Sequence, residues 1–248
     1  MPVDLTGKRM LVTGGATGIG RATSLRASAY GARVAVFDVN DEDGIVTVNE
    51  INEAGGNARY WHVDVSDGAA VAGGVSAAEN WLGGIDVLIH LAGILQGASV
   101  ELDEFPEETW DQVLDINLRG SFLVAKNVAI VMKRQHSGVI VLASSGAGVL
   151  GGSSSFAYGS SKGGVHGLTL VMQNALEKYG IRVNDVLPGA VNTPLKVAQV
   201  QRTRDVTGNE EVYSKTMAGL VSPDDVARVI TFMASDEAKV LRGSVRTA

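Results

Sequence analysis

Short runs of apolar, largely β-branched residues recur along the chain, each followed by a longer stretch with helical spacing. This alternation restricts the fold more than any other feature. The runs are Arg9–Thr13, Arg33–Asp38, Ala58–Val63, Val87–His90, Val139–Ala143 and Arg182–Leu187. Most are apolar throughout rather than at every second position, the pattern of strands covered on both faces. Helical spacing fills 18–30, 41–54, 67–82, 110–134 and 157–179. Such alternation joins neighbouring strands in parallel through right-handed crossovers. The expected fold is therefore α/β, a doubly wound parallel sheet in a single domain over 1–248. No repeat, linker or composition break marks a second domain.

Several function classes drop out on composition. The 248 residues, with 45% hydrophobic and 19% charged, suffice for one substantial core. Cysteine is absent, which excludes disulfides, zinc–thiolate sites and cysteine nucleophiles. The histidines (His62, His90, His136, His166) form no i,i+4 pair, so no metal site is expected. A net charge of −6 without a dense basic run argues against nucleic acid as a partner. No apolar stretch is long enough for a membrane span, and Met1-Pro2-Val3-Asp4-Leu5 is not the start of a signal peptide. A cytoplasmic protein is the expectation. The stretch 194–220 is polar and lacks a clear period, so a long functional loop, a lid, is expected within a substrate loop at 190–220. Ser222-Pro223-Asp224-Asp225 then starts a helix, with Ser as N-cap, Pro at the first position and acids in the first turn.

Three stretches carry chemistry. In Thr13-Gly14-Gly15-Ala16-Thr17-Gly18-Ile19-Gly20, a strand runs into a helix, and glycines at 14, 18 and 20 would let the backbone approach a pyrophosphate. The spacing differs from the usual Gly-x-Gly-x2-Gly, and alone it supports a structural turn and a phosphate loop equally. The next strand ends at Asp38, about 20 residues on, where an acid accepts hydrogen bonds from an adenosine ribose. Its charge repels a 2′-phosphate, and Gly15, Ala16 and Val39 offer no cation, so NAD is favoured over NADP. A helix-capping acid is the competing reading, which suits Asp41 better. Finally, Ser144-Ser145 precedes Tyr158 and Lys162, an i,i+4 pair on one helix face. An ammonium beside a phenol favours the phenolate and lowers the tyrosine pKa. In isolation the pair reads as a surface contact; downstream of a dinucleotide turn and a serine at a strand end, it reads as a proton-transfer site.

Thr13-Gly14 to Gly20, Asp64-Val65, Ala92-Gly93, Asn117, Ser145, Tyr158, Lys162 and Pro188-Gly189 with Thr193 form an ordered set. The set resembles the short-chain dehydrogenase/reductase family along nearly the whole chain. The resemblance implies a Rossmann-like domain with about seven strands in the order 3-2-1-4-5-6-7. It also implies a catalytic tetrad mapping onto Asn117, Ser145, Tyr158 and Lys162. Tyr158 would be general acid/base, Ser145 would position the substrate oxygen, and Lys162 would hold the nicotinamide ribose and tune Tyr158. Asn117 would anchor a water in a proton relay. Gly14, Thr17, Gly18, Ile19 and Gly20 would meet the pyrophosphate, and Asp64 and Val65 the adenine. Ala92 and Gly93 would meet the adenine-side ribose; Pro188, Gly189, Val191 and Thr193 would place the carboxamide.

Two departures from the family pattern stand out. His90-Leu91-Ala92-Gly93 replaces the usual Asn-Asn-Ala-Gly, with His90 expected as a structural residue that restores one hydrogen bond. The last strand begins at Val240–Gly243, and the end at Ala248 lacks the usual Val-Asp-Gly-Gly, which implies a departure from the family's tetramer. Apolar residues around helices 110–134 and 157–179 still suggest a homo-oligomer, tetramer or dimer. The expected function is reversible hydride transfer between NAD and a secondary alcohol or ketone. Apolar Ile94, Leu95, Val149, Leu150 and Val191 suggest a substrate with a hydrophobic body. The alternatives are a 3-oxoacyl-thioester (acyl-carrier-protein) reductase, which would prefer NADPH, and a non-catalytic NAD-sensing protein.

Overall fold

A computed structural model describes residues 3–247. Met1 and Pro2 of the N-terminal reading, and Ala248 of the C-terminal one, lie outside the described residues. Seven parallel strands form one sheet in the order β3-β2-β1-β4-β5-β6-β7. They are β1 (Arg9–Thr13), β2 (Arg33–Asp38), β3 (Asn57–His62), β4 (Val87–His90), β5 (Gly138–Ala143), β6 (Ile181–Leu187) and β7 (Gly243–Arg246). The expected architecture and strand order are those observed.

The uninterrupted apolar runs have a direct cause. In β1, Leu11 faces one core, with Phe37, Val128 and Val165, whereas Met10 and Val12 face a second, with Val34, Ile230 and Met233. Each strand face meets helices, so neither face needs polar residues. One helical layer contains α3 (Gly68–Leu82), α5 (Gly120–Gln135) and α7 (Phe156–Leu176); the other contains α1 (Gly18–Ala29), α2 (Asp41–Glu53) and α10 (Pro223–Ala234). Asn40 caps α2 by accepting from the Asp43 amide at 3.1 Å, so neither Asp38 nor Asp41 has that task. Ser222 caps α10 and Pro223 opens it, as expected.

The structure departs from the sequence reading in three places. The helix expected over 110–134 is α4 (Glu107–Leu114), one wide π turn (Asp115–Arg119), then α5. The helix over 157–179 ends as a 3₁₀ turn at Glu177–Tyr179. The substrate loop expected at 190–220 is largely helical, comprising α8 (Pro194–Thr207) and α9 (Glu210–Ala218). Thr193 caps α8 and Pro194 opens it; Gly208 ends it at φ 65°, and Asn209 caps α9. Only Gln199 and Val200 of α8 are buried, and none of α9. Helices so exposed have no apolar stripe to reveal their period. Between β5 and α7 lies a short distorted turn, α6 (Gly146–Val149).

In register, Thr13 pairs with Phe37 on one side and His90 on the other. This aligns the carboxyl ends of β1, β2 and β4. The chain order reverses between β1 and β4, and such a switch point opens a crevice at the strand ends.

Candidate active site

That crevice is a cavity of about 490 Å³. At one end lie Asp38, Asp64 and Val65, carried by the ends of β2 and β3 and the segment after β3. Gly14, Thr17, Gly18, Ile19 and Gly20 form the wall next to them, with Ala92 and Gly93 after β4. At the other end are Ser145, Tyr158 and Lys162, and Pro188, Gly189, Val191 and Thr193 complete the lining after β6. Asn117 is the one residue of the anticipated set outside the lining; it is fully buried beneath it.

The glycine turn is built for close approach. Gly14 has φ 65°, and a Cβ there would lie 2.7 Å from the Ala92 nitrogen. A Cβ at Gly20 would collide with the Gly14 carbonyl oxygen. Thr17 precedes α1 without a side-chain capping bond, and the first turn holds no acid. Free amides at a positive helix end fit a phosphate. Asp38 Oδ2 accepts from the Ala16 amide at 2.9 Å, fixing the carboxylate against this turn. Its Oδ1 accepts from the Val39 and Asn40 amides at 2.8 and 3.1 Å. A cavity with an acid at its far end, an uncapped helix in its middle and a phenol at its near end fits a dinucleotide.

Lys162 is almost wholly buried, and its Nζ donates to the Ala143 carbonyl at 2.8 Å. Burial lowers its pKa to about 8. The amine lies 5.7 Å from the Tyr158 ring centre. Burial raises the Tyr158 pKa, and the Ser145 side chain acts in the opposite direction. This corrects the expectation of a lowered phenol: desolvation dominates, and the Lys162 ammonium gives its hydrogen bond to the Ala143 carbonyl instead of to the phenol. Ser145 Oγ accepts from the Ala147 amide at 3.2 Å.

Asn117 sits in the π turn. Its Oδ1 accepts from the Ile94 amide at 2.8 Å, and its Nδ2 donates to the Ile94 carbonyl at 2.9 Å and to Ser161 Oγ at 3.0 Å. A Cβ placed on Gly93 would lie 3.0 Å from Asn117 Oδ1 and 3.5 Å from Lys162 Nζ. His90 is buried; its Nδ1 pairs with Thr13 Oγ1 at 2.8 Å, and that oxygen accepts from the Ala92 amide at 3.3 Å. Burial, and then the Lys162 charge, push His90 down to about 3, so its ring is neutral.

The cavity wall is more polar than the sequence suggested. Val149 and Leu150 do not line it, and Leu150 is 60% exposed. Ser153, Ser154, Lys196 and Gln199 line it instead. The Thr193-Pro194 helix start was the available signal, because it puts Lys196 and Gln199 one turn apart on α8. Among the described residues, no three or more His, Cys, Asp or Glu gather to hold a metal ion, and no helix is long and apolar enough to cross a membrane.

The family model for short chain dehydrogenase matches residues 8–204. The chain belongs to the short-chain dehydrogenase family. It is 36% identical over 242 residues to a 3-oxoacyl-[acyl-carrier-protein] reductase of Thermotoga maritima, covering 97% of this chain and 96% of that one. The crystal structure of an NAD+-bound xylitol dehydrogenase superposes with a TM-score of 0.93 at 32% identity, covering 98% of both chains. That of an actinorhodin polyketide ketoreductase with NADPH gives 0.91 at 29%, covering 97% of this chain and 95% of the other. This short-chain dehydrogenase thus has relatives crystallised with each nicotinamide cofactor.

The depressed pKa of Lys162 has a measurable consequence. Relative to the unfolded value of 10.5, its stabilising contribution is complete above about 10.5 and lost as pH falls through about 8. Urea unfolding of the ligand-free protein between pH 7 and pH 10 checks this. The wild type should gain on the order of 3 kcal/mol relative to Lys162→Met across that window; parallel curves would contradict the assigned burial.

Proposed function

We propose that the chain is an NAD-dependent oxidoreductase that interconverts a secondary alcohol and a ketone, with Tyr158 as general acid/base. One observation carries the reading: Ser145, Tyr158 and Lys162 line the same cavity as the glycine turn and Asp38. The nicotinamide, when bound, supplies or accepts the hydride. The buried phenol of Tyr158 keeps its proton, the form that protonates a carbonyl oxygen during reduction. Ser145 donates a second hydrogen bond to that oxygen. Lys162, held at the end of β5, stabilises the phenolate left behind and holds the ribose. Asn117 positions Lys162 through Ser161 and keeps the water of the proton relay in place.

Asp38 supports NAD. Its two oxygens are fixed by backbone amides at the end of β2 in the cavity wall, and a carboxylate so placed would accept from both ribose hydroxyls. Asp64 is the other charged residue at that end of the cavity, so among the described residues no lining cation there answers a 2′-phosphate. The similarity to a 3-oxoacyl-[acyl-carrier-protein] reductase keeps thioester reduction as a second reading. The presence of all four tetrad residues weighs against a non-catalytic sensor. Assembly into a homo-oligomer is supported by apolar side chains on two helices: Phe122 and Ile130 of α5 are 48% and 50% exposed, and Leu170 and Val171 of α7 are 44% and 68% exposed.

Tyr158→Phe should lower turnover by roughly 10²–10⁴-fold while NADH titration still shows binding; near-wild-type turnover would remove Tyr158 from the mechanism. NADH should bind more tightly than NADPH, and Asp38→Asn should narrow the ratio by roughly tenfold, read by nicotinamide fluorescence. Tighter NADPH binding by the wild type would instead favour the thioester reductase. Light scattering should give a multiple of the chain mass that falls in Val171→Asp, whereas a wild-type monomer would contradict the assembly.

A further inference from the structure

The charges lining the cavity are segregated. Its carboxylates, Asp38 and Asp64, follow β2 and β3 on one side of β1, and its ammonium groups, Lys162 of α7 and Lys196 of α8, follow β5 and β6 on the other. Lys162 is committed to the Ala143 carbonyl and to the mechanism above. Lys196 has no such duty. It sits in the first turn of α8, half-buried, and among the described residues it joins no ion pair. Its Nζ donates to Gln199 Oε1 at 2.7 Å, and Gln199, 9% exposed, donates from Nε2 to Thr203 Oγ1 at 3.0 Å.

This chain of contacts continues away from the glycine turn. Thr203 Oγ1 is 3.4 Å from Ser99 Oγ, and the Ser99 amide donates to the Ser154 carbonyl at 2.8 Å. Ser153 and Ser154 belong to the cavity wall near Tyr158. Lys196 is therefore held by the side-chain oxygen of Gln199, itself linked through Thr203 and Ser99 to the wall segment just before Tyr158, with two ammonium hydrogens left for another acceptor. A half-buried cation without a counter-ion is unfavourable until an anion arrives, and the anion then gains a charge-assisted bond in a poorly solvated site. Burial lowers the Lys196 pKa, consistent with the missing counter-charge. Ile94, Leu95 and Leu195 also line the cavity and suit a short apolar link.

We propose that Lys196 and Gln199 form a recognition subsite for a substrate carboxylate, placed across a short apolar spacer from the carbonyl or carbinol carbon that reacts. The proposal rests on the alcohol–ketone reading above and narrows its substrate class to oxo acids and hydroxy acids. An anionic group of the cofactor is the competing source of the same chemistry, because α8 begins beside the glycine turn: a Cβ on Gly18 would lie 2.9 Å from Thr193 Cγ2.

The test compares acetoacetate and levulinate with their methyl esters, using NADH and the full-length protein. In the wild type, kcat/KM for at least one acid should exceed that for its ester roughly tenfold or more. Lys196→Met should reduce that acid-to-ester ratio by roughly 10- to 100-fold, mainly through KM, and Lys196→Arg should restore part of it. Gln199→Leu, which leaves the charge but frees its position, should reduce the ratio less. Esters reduced as well as acids would overturn the subsite and leave the alcohol–ketone reading intact. An NADH affinity lost in Lys196→Met in proportion to the acid would also overturn it, by assigning the lysine to the cofactor. If neither series is reduced while NADH binds, the alcohol–ketone reading fails for these compounds and the carboxylate subsite fails with it.

Discussion

The side chain of Asn117 holds together three parts of the chain that the sheet alone does not align. Its amide closes both hydrogen bonds on the Ile94 backbone, as a neighbouring strand would, and spends its remaining donor on Ser161. Ile94 follows the Ala92-Gly93 wall, and Ser161 immediately precedes Lys162. One buried side chain thus sets the distance between the cofactor wall and the helix carrying the phenol and the amine. An unsatisfied buried partner costs about 1–3 kcal/mol, so losing any one of these contacts weakens the clamp. The wide turn at Asp115–Arg119 is what brings Asn117 to this point, and π turns gather at functional sites for such reasons. Ser121 Oγ donates to the Asn117 carbonyl at 2.5 Å and gives that distorted backbone a partner.

Around this clamp, burial governs charge. Lys162 keeps one protein acceptor, the Ala143 carbonyl, in a site where its pKa falls to about 8. Tyr158 is pushed the other way by the same burial. The two groups therefore move apart in proton affinity without direct contact: burial makes the amine release its proton more readily and the phenol hold its own more tightly. His90 could have disturbed this balance with a second positive charge. At about 3 it remains neutral, and it serves as a polar brace between β4 and β1 through Thr13.

The sequence made the parts that bury most area the easiest to read. Strands such as Arg33–Asp38 and Val87–His90 are apolar throughout because helices cover both faces, and their alternation with helices leads to the observed doubly wound parallel sheet, whose strand order the family resemblance supplied. The glycine turn and the Tyr158–Lys162 spacing were legible because local backbone geometry dictates both. Three things were not. A π turn adds one residue to a helical repeat and leaves the apolar pattern of 110–134 almost unaltered. Helices α8 and α9 bury too little to show a period, although Thr193-Pro194, Gly208 and Asn209-Glu210 mark their ends. The spacing that puts Lys162 on the same helical face as Tyr158 says nothing about Ala143, the acceptor that takes its hydrogen bond, so the direction of the phenol's shift needed three dimensions.

The central claim is that this cavity brings a nicotinamide and a carbonyl carbon together for direct hydride transfer. The most direct measurement uses NADH carrying deuterium at the ring carbon that donates the hydride, with the product alcohol analysed by mass spectrometry and NMR. The account predicts deuterium bound to the carbinol carbon, transferred from one face of the ring and not exchanged with water. A carbinol hydrogen derived from solvent, with the label lost to water, would contradict it.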